Sequence, residues 1–387
     1  KWIYVLLLMG LLGLSGCGSP SSASVEMSSQ TELVKTGSME LQYAENFAVD
    51  YYEDGYKMLT TLPDSKRYLL VPEGQPVPRG LDEDVSILQE PLQNIYLVAS
   101  GVMDMFASLD AVDQIRFSGQ KQENWYIQTA KDAMAAGNMI YAGKYSKPDY
   151  ELLVSEGCDL AIENRMITHS PEVVEMLQSF DIPVMIEYSS YEQHPLGKVE
   201  WVKFFGALTG KEVEAEEAFA EQTEILEEVE SGEKTGKTIA FFYVTSNGLI
   251  QVRQSTDYIP KLIELAGGRY IFEDLEDSGS GRSTLNMQIE DFYAGAKDAD
   301  ILIYNSSIDG GVTTLDELIG KCNILKDFKA LQEGQVYCTT NDMYQQSMAI
   351  GYLLQDMHTV LTDDDTAKLR YLFLHLKRPL FFLLQHF

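Results

Sequence analysis

Residues 212–230, EVEAEEAFAEQTEILEEVE, carry the longest uninterrupted helical pattern in the chain. Ala215, Ala218, Phe219, Ile225, Leu226 and Val229 recur at spacings of three, four and seven, and the glutamates fall between them on the opposite face. At about 1.5 Å per residue such a helix spans roughly 30 Å, the width of a small domain. Gly232 and Gly236 stop it before the strand-like run 238–244. An element of this length either joins two folded bodies stiffly or packs inside one.

What flanks it favours the first arrangement. Before the helix, apolar runs at 68–71, 95–98, 159–162 and 182–186 alternate with helical stretches at 101–109, 128–136, 150–156 and 171–180. After it, strand-like runs at 238–244, 269–272, 300–304 and 335–337 alternate with helical stretches at 258–266, 289–296 and 314–319. Alternation of this kind predicts βαβ units with mostly parallel sheets. The expected fold is therefore α/β, with two Rossmann-like lobes (39–209 and 232–387) bridged by one long helix within 210–231. Ligands of open α/β sheets sit outside the carboxyl ends of the strands, which places a ligand cleft between the lobes. At the start of the first lobe, 40–62 reads as an antiparallel hairpin, with Asp54-Gly55 supplying the positive φ angles of a tight turn.

The amino end reads differently. KWIYVLLLMGLLGLSGC is one cation followed by an apolar stretch too short to span a bilayer comfortably, and it ends in small residues, as an export signal does. Leu14-Ser15-Gly16-Cys17 matches the bacterial lipobox, so residues 1–16 are expected to be removed and Cys17 to carry the lipid. Two acyl chains on one cysteine suffice for stable anchoring at the extracytoplasmic face of a cell membrane. Residues 17–38, rich in Ser, are expected to form a flexible tether. The formal charge of −30, with no basic stripe to offset it, argues against a nucleic-acid partner.

Four stretches carry a resemblance. They are 95–115, with its Ser100-Gly101 turn and Leu109-Asp110-Ala111-Val112-Asp113; 159–184, with Ile182-Pro183-Val184; 194–217, with His194-Pro195-Leu196-Gly197 and Gly210-Lys211; and 263–271, with Leu265-Ala266-Gly267-Gly268. In order and spacing they resemble the solute-binding lipoproteins of ABC importers for iron complexes, haem and vitamin B12, over roughly 93 to the C-terminus. Two positions depart: Asp110 stands where a glycine is usual, and Cys158-Asp159-Leu160 replaces Pro-Asp-Leu. The resemblance implies a monomeric protein that delivers a ferric siderophore-like complex to an ABC permease and its ATPase. Haem or a corrinoid is the alternative ligand, and the protein has no cofactor of its own. It also implies that one glutamate on each lobe, here Glu151 and Glu290, docks on the permease.

Large planar or anionic ligands need aromatic faces and guanidinium donors. In the first lobe the strand-end positions offering them are Ser100, Trp125, Tyr126, Lys144, Tyr145, Arg165, Tyr188 and Tyr191. In the second they are Tyr243, Arg253, Arg282, Tyr304 and Tyr344. A divalent-metal site built on His169, His194 and Glu163 is an alternative. Gly232-Glu-Lys-Thr-Gly236-Lys237-Thr238 is not a phosphate loop, because only three residues separate its glycines and a strand follows. No nucleophile elbow or other catalytic motif is present, so an extracellular enzyme is the weaker reading. Cys158, Cys322 and Cys338 remain after lipidation, with Cys322–Cys338 as one pairing and buried thiols as the other.

Overall fold

The computed structural model describes residues 33–275, 283–308, 310–362, 369 and 373–376. Cys17, most of the expected tether and Arg282 lie outside them.

Three sheets organise the chain. The first is made of β1 (Lys35–Ser38), β2 (Phe47–Tyr52), β3 (Lys57–Thr61), β4 (Lys66–Val71) and β5 (Val85–Gln89), in that spatial order. The expected hairpin is β2–β3, with Asp54 and Gly55 both at positive φ in its turn. Two expectations need correction here. The tether does not run to Ser38, because β1 pairs with β2 and Asp50 receives both Lys35 and Ser38 at 2.7 Å. Nor does the run at 68–71 open the parallel sheet: β4 pairs with β3 and β5, and Tyr68 only leans across, donating to the Val184 carbonyl at 2.8 Å.

The second sheet contains β6 (Ile95–Leu97), β7 (Ile115–Ser118), β8 (Ile140–Tyr141), β11 (Leu160–Asn164) and β12 (Val184–Glu187) in the order β12-β11-β6-β7-β8, with every pairing parallel. Between them run α1 (Val102–Ser108), α2 (Gln128–Ala135), the small pair β9 (Gly143–Lys144) and β10 (Lys147–Pro148), α3 (Tyr150–Ser155) and α4 (Pro171–Ser179). The third sheet holds β13 (Thr238–Val244), β14 (Ile250–Arg253), β15 (Arg269–Tyr270), β16 (Thr284–Met287), β17 (Ile301–Tyr304), β18 (Val336–Thr339) and β19 (Phe373–His375). Its β15, β17 and β18 continue the parallel pattern from β13, whereas β14, β16 and β19 run antiparallel to their neighbours. The third sheet's helices are α7 (Tyr258–Leu265), α8 (Ile289–Ala296), α9 (Leu315–Lys321) and α10 (Lys329–Glu333).

Three further helices join the lobes: α5 (Pro195–Thr209), α6 (Glu212–Glu230) and α11 (Ile350–Thr362). α6 covers the predicted stripe, burying Ala215, Phe219, Leu226 and Val229, with Gln222 filling the remaining turn. It packs on α5, α7 and α11. One continuous core runs from Leu59 of the first sheet through Leu97 and Phe205 to Ile239, Ile263 and Leu353 of the second lobe. α5 is buried over nearly its whole length, charged residues included.

Candidate ligand cleft

In the second sheet the chain builds β6, β7 and β8 outward in one direction and then returns to place β11 and β12 on the other side of β6. The switch point lies between β6 and β11, and the turns after them are Ser100-Gly101 and Arg165–His169. Such a reversal leaves an open crevice at the carboxyl ends of the two strands.

Each side of this crevice has identifiable parts. Ser100 is half-buried, and a Cβ on its neighbour Gly101 would come within 2.8 Å of Ser347 Oγ in the second lobe, so glycine permits the close approach. The Arg165 guanidinium lies 4.6 Å over the ring of Tyr191, and Tyr188 sits edge-on to Tyr191 at 6.5 Å. Burial, together with the nearby Asp64 carboxylate, pushes the Tyr188 phenol upward, so it stays protonated and donates. Tyr126 is 43% exposed and meets Tyr344 of the second lobe edge-on at 6.4 Å. Beneath that pair, Gln345 bridges the lobes, and Met348 N donates to Asp104 Oδ2 at 2.7 Å. Desolvation raises the Asp104 carboxyl to about 6, although the Met348 amide and the charge of Lys198 oppose the shift.

The remaining sequence candidates divide. Trp125 is 1% exposed in the main core and its indole N–H donates to Ser118 Oγ at 3.0 Å, so it holds the loop instead of facing the cleft. Tyr304 is fully buried against Phe242, and Tyr243 stacks obliquely on it at 6.1 Å. Arg253 was expected at a strand end facing the cleft. Because β14 runs antiparallel to β13, Arg253 lies beside mid-strand Phe241, with its guanidinium 5.7 Å from that ring and 3.3 Å from Asp257. Tyr145 packs on the small core under α3 and α4, and Lys144 is exposed on β9. Thus Ser100, Tyr126, Arg165, Tyr188, Tyr191 and Tyr344 occupy the strand-end turns.

The alternative metal set does not assemble among the described residues. His194 caps α5, its Nδ1 accepting from Leu196 N, and its ring stacks on Tyr43 at 4.4 Å. His169 is exposed, and Glu163 is buried with neither carboxylate oxygen hydrogen-bonded. Burial raises the Glu163 carboxyl to about 8. Cys322 and Cys338 are both buried, and no disulfide joins them.

Sequence reasoning missed Asp104, Gln345, Ser347 and the charged residues of α5. Of these, only Asp104 carried a signal, an acidic residue in the first turn of a helix that opens directly after the Ser100-Gly101 turn.

Solved structures share this architecture at low identity. A periplasmic haem-binding protein of Vibrio cholerae superposes with a TM-score of 0.55 at 14% identity, covering 69% of this chain and 98% of that one. The chain has the fold of the helix-bridged periplasmic binding proteins. A possible iron-binding, periplasmic solute-binding protein of Staphylococcus epidermidis gives 0.54 at 17% identity over 70% of this chain and 98% of its own. The catecholate-siderophore binding protein of Vibrio cholerae gives 0.54 at 12% over 72% and 95%. In sequence, an uncharacterized lipoprotein of Methanocaldococcus jannaschii is 24% identical over 93% of this chain and 92% of its own length. A second from the same organism is 22% identical over 88% and 89%. No family model matches. The turn after β6 approaches 344–347, after β18, where the lobes meet.

Proposed function

We propose that the protein is an extracytoplasmic solute-binding lipoprotein of an ABC importer, anchored through Cys17, that captures a ferric siderophore-like complex and delivers it to the permease. The observation that carries this reading is the Arg165–Tyr191–Tyr188 cluster, formed by the turns after β11 and β12 beside the topological switch point of a binding-protein fold. A guanidinium over a tyrosine is the kind of group that pairs with catecholate or carboxylate oxygens, and the exposed ring of Tyr191 offers apolar area to a ligand. The structural relatives, described as iron, haem and siderophore binding proteins, support the same class. No catalytic role is proposed.

Delivery rests on Glu151 and Glu290. Each is an exposed second residue of a helix, α3 in one lobe and α8 in the other, and each helix precedes a parallel strand of its sheet. The helix dipole favours a carboxylate there in any case. The pairing of equivalent positions on the two lobes is what supports a two-point dock on a permease with two subunits. Charge pairs of this kind govern encounter and register.

A second reading, haem or a corrinoid, is favoured by one contact. Tyr126 and Tyr344 meet edge-on at 6.4 Å where the lobes approach, and tyrosine is a residue type that ligates haem iron. Native mass spectrometry of protein purified from its own host decides between the two by weighing the retained ligand. The double variant Glu151→Ala, Glu290→Ala is expected to bind that ligand normally and to fail to stimulate the reconstituted ATPase. Unchanged stimulation would remove the docking assignment.

A further inference from the structure

A cavity of about 370 Å³ opens where the segment 42–46, the first lobe and the second lobe meet. The segment contributes Tyr43 and Glu45, and the turn after β12 contributes Gln193 and His194. From the second lobe come Ser255, Thr256 and Asp257, just before α7, and Lys261 within it. Every lining side chain carries a polar group, and among the described residues none of them is aliphatic. Such a cavity suits a small ligand that is polar over its whole surface.

The surroundings fix what these groups can do. His194 Nδ1 accepts from Leu196 N at 3.1 Å, so the proton of the neutral ring sits on Nε2, which is left as a donor. Burial and then the charge of Lys261 hold this imidazole below its usual range, against the opposite pull of Glu264. The ring therefore stays neutral, and the ammonium of the other lobe lies within its field. Tyr43 stacks on it at 4.4 Å. Burial, with the carboxylates of Glu230, Glu227 and Glu200, pushes the Tyr43 phenol upward, so its hydroxyl donates as well.

Lys261 is 38% exposed and pairs with Glu264 at 2.9 Å, a solvent-facing bond that binds it loosely and leaves two of its three donors. Asp257 brings no free charge, because its Oδ1 accepts from Ile259 N and its Oδ2 from Arg253 Nη1. Glu45, exposed at the rim, is the other carboxylate. The cavity thus offers a cluster of donors at the His194–Lys261 side, hydroxyl and amide groups beside it, and one acceptor at its edge.

We propose that this cavity binds a small polyhydroxylated carboxylate of the sugar-acid class. The ligand's carboxylate accepts from the Lys261 ammonium, His194 Nε2–H and the Tyr43 hydroxyl. Its hydroxyls pair with Ser255, Thr256 and Gln193 and donate to Glu45. The inference goes beyond the solute-binding reading and stands on the cavity alone.

The test is calorimetry with D-gluconate, compared with D-glucitol, which has the hydroxyls without the carboxylate, and with hexanoate, which has the carboxylate without the hydroxyls. Parent protein is expected to bind gluconate at millimolar concentration or below, and about tenfold or more tightly than either control. Lys261→Met keeps length, removes the charge and is expected to cost about tenfold or more in gluconate affinity. Tyr43→Phe keeps the stack and His194→Asn keeps a helix cap, and each is expected to cost about fivefold. Ligand-free Lys261→Met is expected to melt with the parent, since its side chain is largely in solvent, so its lost affinity reads the site and not the fold. No gluconate binding by the parent overturns the inference. So does either control binding as tightly as gluconate, or an unchanged gluconate affinity in Lys261→Met. None of these outcomes touches the solute-binding reading, which native mass spectrometry and ATPase stimulation judge separately.

Discussion

Gln345 holds the backbone beside Tyr126 across the two lobes: its Oε1 accepts from Tyr126 N at 2.7 Å and its Nε2 donates to the Asn124 carbonyl at 2.8 Å. Gln345 itself is fully buried, so both bonds form away from water. Each partner left unsatisfied costs about 1–3 kcal/mol. Gln345→Ala should therefore release the 124–126 loop, and amide exchange at Tyr126 is expected to accelerate on the order of tenfold or more. Hydrogen-exchange mass spectrometry reads this, and unaltered protection would mean that the loop is held by other contacts.

Trp125 and Arg165 are expected to part company under mutation. Trp125→Phe loses the bond to Ser118 and should destabilise the fold by about 1 kcal/mol while leaving solute affinity within about twofold. Arg165→Ala should cost roughly thirtyfold in affinity, the typical loss for an arginine anchor. Calorimetry with the ligand recovered from the native protein separates the two, and a thirtyfold loss in Trp125→Phe would return that residue to the cleft.

Glu163 sets a pH dependence with a definite sign. Burial raises its carboxyl from the ordinary 4.5 to about 8, so the folded chain favours the protonated form. The stability it contributes is complete below about pH 4.5 and is lost as pH rises through about 8. Glu163→Gln stays neutral throughout. Its melting temperature is expected to match the parent near pH 4 and to exceed it increasingly towards pH 9. A difference that does not vary with pH would contradict this.

The Glu200 carboxylate accepts from three successive amides, Gln42, Tyr43 and Ala44, at 2.8–3.1 Å, and Glu192 accepts from Glu45 and Asn46 at 2.9 and 3.0 Å. Glu200→Gln places an amide donor against amide donors. The expected loss is on the order of 3 kcal/mol, and the fall in melting temperature roughly 5–10 °C. Limited proteolysis should cut first within 39–46, and first cleavage elsewhere would argue against the clamp.

How much of this could be read from the chain depended on whether a segment had two different faces. α6 was legible because its glutamates meet water while Phe219 and Leu226 do not. α5 gave no such period, because water reaches almost none of it and Lys198, Glu200 and Lys203 are as buried as Phe204. β13 and β17 announced themselves as apolar runs, but an apolar run does not say which sheet it joins, and β4 was assigned to the wrong one for that reason. Strand-end placement grouped Arg165 with Tyr188 and Tyr191, and the three lie in contact. It misplaced Arg253 because strand direction is decided by pairing, and β14 runs opposite to β13. Gln345 was beyond reach, since its partners lie about two hundred residues away in the chain.

The clamp on 42–46 also sets an order of events. Ala44 and the glutamate that receives its amide are 156 positions apart. At the usual 5–20 residues per second of synthesis, roughly 8 to 30 s pass between the appearance of one and the appearance of the other. Throughout that interval the amides of 42–44 lack their acceptor. The amino-terminal module is therefore the part of the nascent chain most in need of protection, and it is completed by a helix that has not yet been made.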